Sequence, residues 1–460
     1  MDPFIVTTEC HRAPGQPAMR FLGIADELNL GDMYCSLSAE GHEVRVYASM
    51  EASADTLKGL LVRTRNWETE LSWIREAGPD GVIIFESAHA GETQDRLRRD
   101  GYNVIGGSSY GDRLELDREF GQQAMRDAGM QTASVHSFRN FDSAIKFIEQ
   151  RPRRYVFKLN GIQFSSHTNH IGELEDGRDI IGLIVRLRDR WLGQMDPDFV
   201  LMDHVTGVEV GVGAYFNGRE FLCPACIDWE HKRFFDNDLG ELTGEMGTLV
   251  SYRNAEVIFD ATLARMAEPL GASAYTGYIN LNTIVNAQGI WPLEFTCRFG
   301  YPGFAILQPL HKTSWAEIFR QMIQQKELRF DTHSGFSVGV VLTLPPFPHR
   351  ERYDELSKGL PILFHGDLTP DDWRHIHFDE VEVRDGKYFT SGFAGYIGVV
   401  TGIGKSVEDA HRNAYALARR VVVPNIRYRS DIGKRFVKRD KHLMQEWGYW
   451  PMTESALRKK

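Results

Sequence analysis

Along the first 115 or so residues, short apolar runs alternate with amphipathic stretches. "MRFLGIA" (Met19 to Ala25), "HEVRVYA", "DGVIIFES" and "NVIGGS" read as buried strands, and the stretches around Met33 to Gly41 and Trp67 to Ala77 carry the helical period between them. Strand and helix in alternation predict a parallel, Rossmann-like layer, which binds ligands at the C-terminal ends of its strands. Asp26, Glu86 and the Gly106-Gly107-Ser108 turn fall at such ends, although capping of the loop explains Asp26 and Glu86 equally well.

Beyond Arg118 the pattern is helical as far as Gly129, a stop signal that precedes the extended "MQTASVHSF". A small unit follows: a helix from Phe141 to Gln150, the strand "RYVFKLN", a helix near Ile180 to Arg190 and the strand "DFVLMDHV". Antiparallel strands come next in "VEVGVGAYFNGREFLCPACIDWEHKR", with a hairpin signal at Asn217-Gly218. A helix near Glu256 to Leu270 leads to the paired strands "YTGYINLNTIV" and "IWPLEFTCRF". The remainder alternates strands with the helix "SVEDAHRNAYALARRVV" and predicts an α+β unit. The fold class is therefore α/β and α+β multidomain: a Rossmann-like domain over 1–117, a central domain over 118–330 with a smaller lid over about 132–206, a C-terminal domain over 331–435 and a basic extension over 436–460.

Composition narrows the possible roles. Hydrophobic content of 42% and charged content of 25% are those of a globular protein, and no apolar run approaches the roughly 18 residues of a membrane helix. "MDPFIVTTECHRAPG" lacks the basic and apolar regions of a secretory signal, so a cytoplasmic protein is expected. A net charge of -10 argues against broad phosphate-backbone binding, hence against a nucleic-acid partner, and oligomeric state is open. The 5 cysteines, Cys10, Cys35, Cys223, Cys226 and Cys297, do not form a disulfide framework. The Cys223/Cys226 pair reads as small residues of a strand, because no second Cys or His pair stands at zinc-binding spacing.

Lys158 alternates with apolar neighbours in "YVFKLNG", where a lysine needs an anionic partner, either a structural acid or a phosphate. Asn280, Asn282 and Glu294 share a face by period-two spacing on two strands joined by a turn. Such facing oxygens suit a hard cation such as magnesium, or a hydrogen-bonded core cluster. Arg298 has the fork to hold a phosphate or carboxylate, or to pair with a neighbouring acid.

In this order, the strand lysine, "DHVTGVEVGV", "DWEHKRFFDNDLGELTGEMG", "TGYINLN", "PLEFTCRFGYP" and "YRSDIG" resemble the ATP-grasp family, most closely its glycinamide ribonucleotide synthetase members, over roughly Asp80 to Arg435. The resemblance implies an ATP-dependent carbon-nitrogen ligase that joins an amino acid, glycine by default, to an amine through an acyl phosphate, using ATP and Mg2+ or Mn2+. It implies ATP contacts from Arg118, Lys158 and Asn280, an adenine-reading hinge at Met202, Asp203, His204 and Val205, and a ribose-side acid at Glu209. Metal ligands would be Glu294, Asn282 and Thr296, Arg298 and Lys158 would serve catalysis, and Lys232, Thr243, Gly244, Glu245, Met246 and Gly247 would contact substrates.

Departures from the family pattern cluster at its acceptor and phosphate loops. Arg118 stands where the family has lysine, and Thr296 where it has a metal-binding asparagine. The phosphate loop is "GIQFSSHTNHIG" (Gly161 to Gly172), in which Ser165, Ser166, His167 and His170 can still hydrogen-bond phosphate. Tyr301 and Gly303 replace two acids, "IADELNLGDM" replaces a basic glycine-rich loop, and "SGFAGYIGVV" has lost an arginine. Three readings follow: a ligase whose amine acceptor differs from phosphoribosylamine, true phosphoribosylamine-glycine ligation, and a binding protein that has lost turnover.

Overall fold

The structure, a computed structural model, describes residues 17–160, 169–191 and 198–452. Its N-terminal layer is a 5-stranded parallel sheet in the order Val62–Arg63, Glu43–Ala48, Arg20–Ala25, Gly81–Phe85, Asn103–Ile105. Gly81–Phe85 is buried throughout, as expected for a central strand of a parallel sheet covered on both faces. The strand order reverses between Arg20–Ala25 and Gly81–Phe85. Asp26 and Glu86 immediately follow these two strands, so they stand at the crevice that a reversal creates.

The Gly106-Gly107-Ser108 turn is a docking seam instead. The Gly106 N–H donates to the Thr276 carbonyl at 2.8 Å, and Ser108 Oγ accepts the Gly111 N–H at 3.2 Å to cap the helix Ser109–Leu116. A Cβ on Gly277 would collide with the Gly106 backbone, so glycine there lets the parallel layer meet the central sheet.

A 4-stranded sheet forms the lid, in the order Val135–Phe138, Phe199–Asp203, Tyr155–Leu159, His170–Ile171, backed by the helices Phe141–Gln150 and Arg178–Trp191. Tyr155, Phe157 and Leu159 pack inward with Phe141 and Phe199. Period-two alternation therefore turns Lys158 to the opposite face. Of the expected phosphate loop, Gly161, Ser165, Ser166 and His167 lie outside the described residues.

The central sheet has 8 strands, in the order Gly289–Thr296, Thr276–Asn286, Val208–Asn217, Cys226–Glu230, Gly247–Ser251, Phe336–Thr343, Tyr396–Gly404, Ile376–Phe378. It runs across the boundary expected near residue 330, since its last three strands come from the C-terminal segment. The helix Val407–Ala418 lies directly on Tyr396–Gly404, where Gly402 and Gly404 leave no Cβ to hold it away. At Asn217-Gly218 the chain does turn, with Gly218 at φ +90°. Regular pairing nevertheless resumes only at Cys226. The helix expected over Glu256 to Leu270 is divided into Glu256–Ala261, a tighter turn at Leu263–Met266, and Ala267–Ala272. Thr262 sits at the break, its hydroxyl donating back to the Ile258 carbonyl at 2.6 Å.

The described part of the basic extension packs into the molecule. Phe436, tilted, and Trp450, edge-on, pack against Trp229 of the strand Cys226–Glu230, with ring centroids at 4.4 and 5.5 Å. Cys35, Cys223, Cys226 and Cys297 are free thiols. No helix of the described residues is long and apolar enough to cross a membrane.

Candidate active site

A cleft of about 670 Å³ lies between lid, central sheet and parallel layer. Its floor follows from strand register. Asn282 stands opposite Glu294 and Asn280 opposite Thr296, so the common face expected for Asn280, Asn282 and Glu294 is present and Thr296 joins it. The next strand carries Gly211 opposite Asn282 and Gly213 opposite Asn280, and the strand beyond it carries Asp228 opposite Gly211. These two glycines open a trough across the sheet. Asn280 Nδ2 donates across it to Asp228 Oδ2 at 2.7 Å, and Asn282 Nδ2 to Glu230 Oε2 at 3.3 Å.

Cations enter from three directions. From the lid strand, Lys158 Nζ donates to Glu294 Oε2 at 3.2 Å, and Arg118, first residue of the helix Arg118–Asp127, lies 3.6 Å from the same oxygen. Lys232 bridges Glu209 at 3.0 Å and Glu230 at 2.9 Å. Lys158, followed by Lys232 and Arg118, holds the Glu294 carboxyl far below the usual carboxylate range against the effect of burial. Since the Glu294 side chain is 42% exposed to the cleft, water screens part of this attraction. Burial lowers the Lys158 ammonium, which makes it a ready partner for an incoming anion. Arg298 lines the cleft with its Nε donating to Glu115 Oε1 at 3.0 Å, while the other Glu115 oxygen accepts the Cys297 N–H at 2.7 Å.

Of the expected hinge, Met202 lines the cleft beside Val200. Asp203 and His204 are engaged within the lid. The Asp203 carboxylate accepts from Arg153 at 2.7 Å, its N–H donates to the Ser134 carbonyl, and the His204 N–H donates to that of Arg154. Val205 does not line the cleft. In "TGEMG", Thr243, Gly244 and Glu245 reach the cleft. Met246 and Gly247 do not: Met246 packs with Phe234 and Phe347, and Gly247, at φ +143°, lies against the Gly339 carbonyl as the chain enters its strand.

Two carboxylates that sequence patterns do not single out, Asp228 and Glu230, lie at the centre of this polar face. Burial, reinforced by Glu230, pushes the Asp228 carboxyl up to about 7, and its Oδ1 has no hydrogen-bond partner among the described residues. Glu245 is 7% exposed, its Oε1 likewise lacks a partner, and burial followed by Glu230 and Asp228 raises it well above the carboxylate range. Among the described residues no three His, Cys, Asp or Glu side chains converge as a ready-made metal cluster. The oxygen donors of Glu294 and Asn282, opposite one another on paired strands, nevertheless suit a hard divalent cation whose remaining ligands would come from phosphate and water.

Residues 116–304 match the family model described as phosphoribosylglycinamide synthetase, ATP-grasp (A) domain. The chain is similar to the phosphoribosylamine–glycine ligase of Ralstonia nicotianae, 25% identical over 379 residues that cover 78% of this chain and 84% of that protein. Among solved structures it is similar to the phosphoribosylamine–glycine ligase of Thermotoga maritima, with a TM-score of 0.68 and 22% identity over 90% of this chain and 100% of that one. The biotin carboxylase domain of 2-oxoglutarate carboxylase from Hydrogenobacter thermophilus, in complex with MgADP, ADP and bicarbonate, gives a TM-score of 0.60 and 10% identity over 95% of this chain and 100% of that one. At these identities the two structural likenesses show the fold alone.

Proposed function

As a divergent ATP-grasp ligase of the glycinamide ribonucleotide synthetase-like type, the protein, we propose, joins the carboxylate of an amino acid, glycine by family default, to an amine acceptor other than phosphoribosylamine. The amino-acid carboxylate attacks the γ-phosphorus of ATP and ADP leaves. The amine nitrogen then attacks the acyl carbon, phosphate departs, and the amide nitrogen gives up a proton.

Each named side chain has a part in this sequence. The adenine packs beside Met202. Glu209 stands on the ribose side, and its pairing with Lys232 fixes both side chains. Lys158 and Arg118 exchange part of their contact with Glu294 for phosphate oxygens, and Asn280 borders the same face. Arg298 neutralises charge on the phosphoryl group in transit. Glu294 and Asn282, with Thr296 at the edge, would hold a divalent cation, magnesium or manganese, which when bound offsets charge on the phosphoryl oxygens. Closure of the lid sheet over the trough keeps water from the acyl phosphate.

The observation that carries the choice of acceptor is the set of carboxyl groups at the crevice. Asp26, Glu86 and Glu245 line that end of the cleft, and a carboxyl group, ionised or protonated, offers a phosphate monoester no cation to pair with. A screen of phosphate release over amino acids and amines, phosphoribosylamine included, tests the reading. Turnover confined to phosphoribosylamine would replace it with the second reading, purine-pathway ligation itself, which the similarity to curated phosphoribosylamine–glycine ligases over 78% of the chain favours. Growth of a purine-requiring strain lacking its own ligase would support that second reading directly. Calorimetry with Mg-ATP separates both from a protein without catalysis, since lack of nucleotide binding would remove every ligase reading.

A further inference from the structure

The helices Ser109–Leu116 and Arg118–Asp127 grip the end of the strand Gly289–Thr296 at three points. Gln122 Nε2 donates to the Leu293 carbonyl at 2.7 Å, Arg118 reaches Glu294, and Glu115 takes the two residues beyond the strand. Pairing with the neighbouring strand stops at Thr296, opposite Asn280. The next N–H, that of Cys297, donates instead to Glu115 Oε2 at 2.7 Å.

The other oxygen of the same carboxylate, Oε1, accepts from Arg298 Nε at 3.0 Å. One acid therefore fixes both the backbone that leads into Arg298 and the side chain of Arg298 itself. Glu115 is the sheltered member of the pair, its side chain 14% exposed against 37% for that of Arg298, and both line the cleft. A guanidinium is a planar fork of five N–H donors, and Glu115 occupies only its Nε. Among the described residues Arg298 makes no other hydrogen bond, which leaves the Nη1 and Nη2 edge for a ligand in the cleft. Without Glu115 the arginine would stand two residues past the end of a strand, free to sample many rotamers.

We infer that Glu115 is the positioning residue for Arg298, aiming the free edge of its guanidinium at the γ-phosphoryl group of ATP, an inference that rests on the ligase reading above. The acid offsets part of the charge that a phosphate would otherwise feel. In return the donors have a fixed direction, and a group that need not reorient during transfer stabilises the developing charge better than a mobile one.

Calorimetry on the full chain compares Mg-AMPPNP, a non-hydrolysable ATP analogue, with Mg-ADP, which lacks the γ-phosphoryl group. The parent protein is expected to bind the triphosphate about tenfold more tightly than the diphosphate. Arg298→Ala, Glu115→Ala and the double variant should all lose that preference to the same extent, because the acid acts only through the arginine. Glu115→Gln, close in shape, keeps an acceptor for one of the two N–H groups and should retain part of the preference; it carries the test if Glu115→Ala does not fold. An acid with a structural role alone would lower the unfolding temperature and the affinity for both nucleotides while leaving their ratio unchanged. That result in the Glu115 variants, or losses that multiply in the double variant, would overturn the positioning role and leave the ligase reading intact. A preference that survives Arg298→Ala, or that the parent lacks, overturns it as well by taking the arginine off the phosphoryl group. Failure of the parent to bind either nucleotide is the separate result that removes the ligase reading, and the positioning role with it.

Discussion

The Lys158 ammonium stands 3.2 Å from a carboxylate oxygen of Glu294, and this contact ties the lid sheet to the central sheet across the cleft. In the proposed reaction the two part company: the lysine turns to phosphate and the carboxylate to a cation. Replacing each should therefore fail differently. Lys158→Ala is expected to weaken nucleotide binding about tenfold with or without divalent cation. Glu294→Ala should retain cation-free nucleotide binding and lower cation-dependent phosphate release on the order of 10²-fold or more. Nucleotide titrations with magnesium and with a chelator check the pair, and identical behaviour of the two variants would refute the division of labour.

The trough between Asn280 and Asp228 depends on glycine. A Cβ on Gly211 would occupy the position of the Asp228 carboxylate, and one on Gly213 that of the Tyr278 hydroxyl. Gly211→Ala should therefore displace Asp228 and break its 2.7 Å bond from Asn280. A stability loss of about 1–3 kcal/mol in denaturant unfolding is expected, with activity falling further than Asp228→Asn alone lowers it.

Period-two alternation makes the shared face of Asn280, Asn282 and Glu294 legible in the sequence itself, and it also turns Lys158 away from the lid core. Asp228 and Glu230 escape the same reasoning, because they flank Trp229 in a strand whose neighbour across the trough is set by tertiary register. No local pattern announces that a row of glycines faces a row of acids. Met246 and Gly247 fail for the opposite reason. They belong to a motif with functional residues, yet the Met246 side chain is drawn into contact with Phe234 and Phe347, more than ten and a hundred residues away in the chain respectively. The Gly106-Gly107-Ser108 turn has the composition of a phosphate loop, but its hydrogen-bonding groups are spent on the Thr276 carbonyl, the Gln94 side chain and the cap of the following helix.

The C-terminal extension supplies part of the site's support. Trp450 is 7% exposed and packs on Trp229 and Phe436, behind the strand that presents Asp228 and Glu230. Trp450→Ala should cost about 3–5 kcal/mol of stability, a core-sized penalty from a residue near the chain end. Thermal unfolding measures the loss, and a change of less than about 0.5 kcal/mol would show that the extension is peripheral.

The buried acids set the direction in which pH acts on the fold. Burial, reinforced by Asp26 and opposed by the Leu30 N–H, pushes the Glu86 carboxyl up to about 8, and burial raises Glu380 to about 7 against four backbone N–H donors. An unfolded glutamate loses its proton near pH 4.3, so between roughly that value and pH 8 the folded chain holds protons that the unfolded chain has released. Stability from these groups is complete below that range and is lost as pH rises through 7 to 8. Asp431, which Arg429 and the Asn237 N–H hold at about 2 against burial, acts with the opposite sign, and its contribution is lost only in strong acid. Unfolding temperature without nucleotide should therefore be highest in mildly acidic buffer, decline from about pH 5 to about pH 8 and level off above, with about 2 kcal/mol or more at stake. Glu86→Gln removes one of the responsible protons and should flatten the decline. Differential scanning fluorimetry over that range decides the matter: an unfolding temperature that rises towards alkaline pH would contradict both the buried acids' direction and the role given to Glu86.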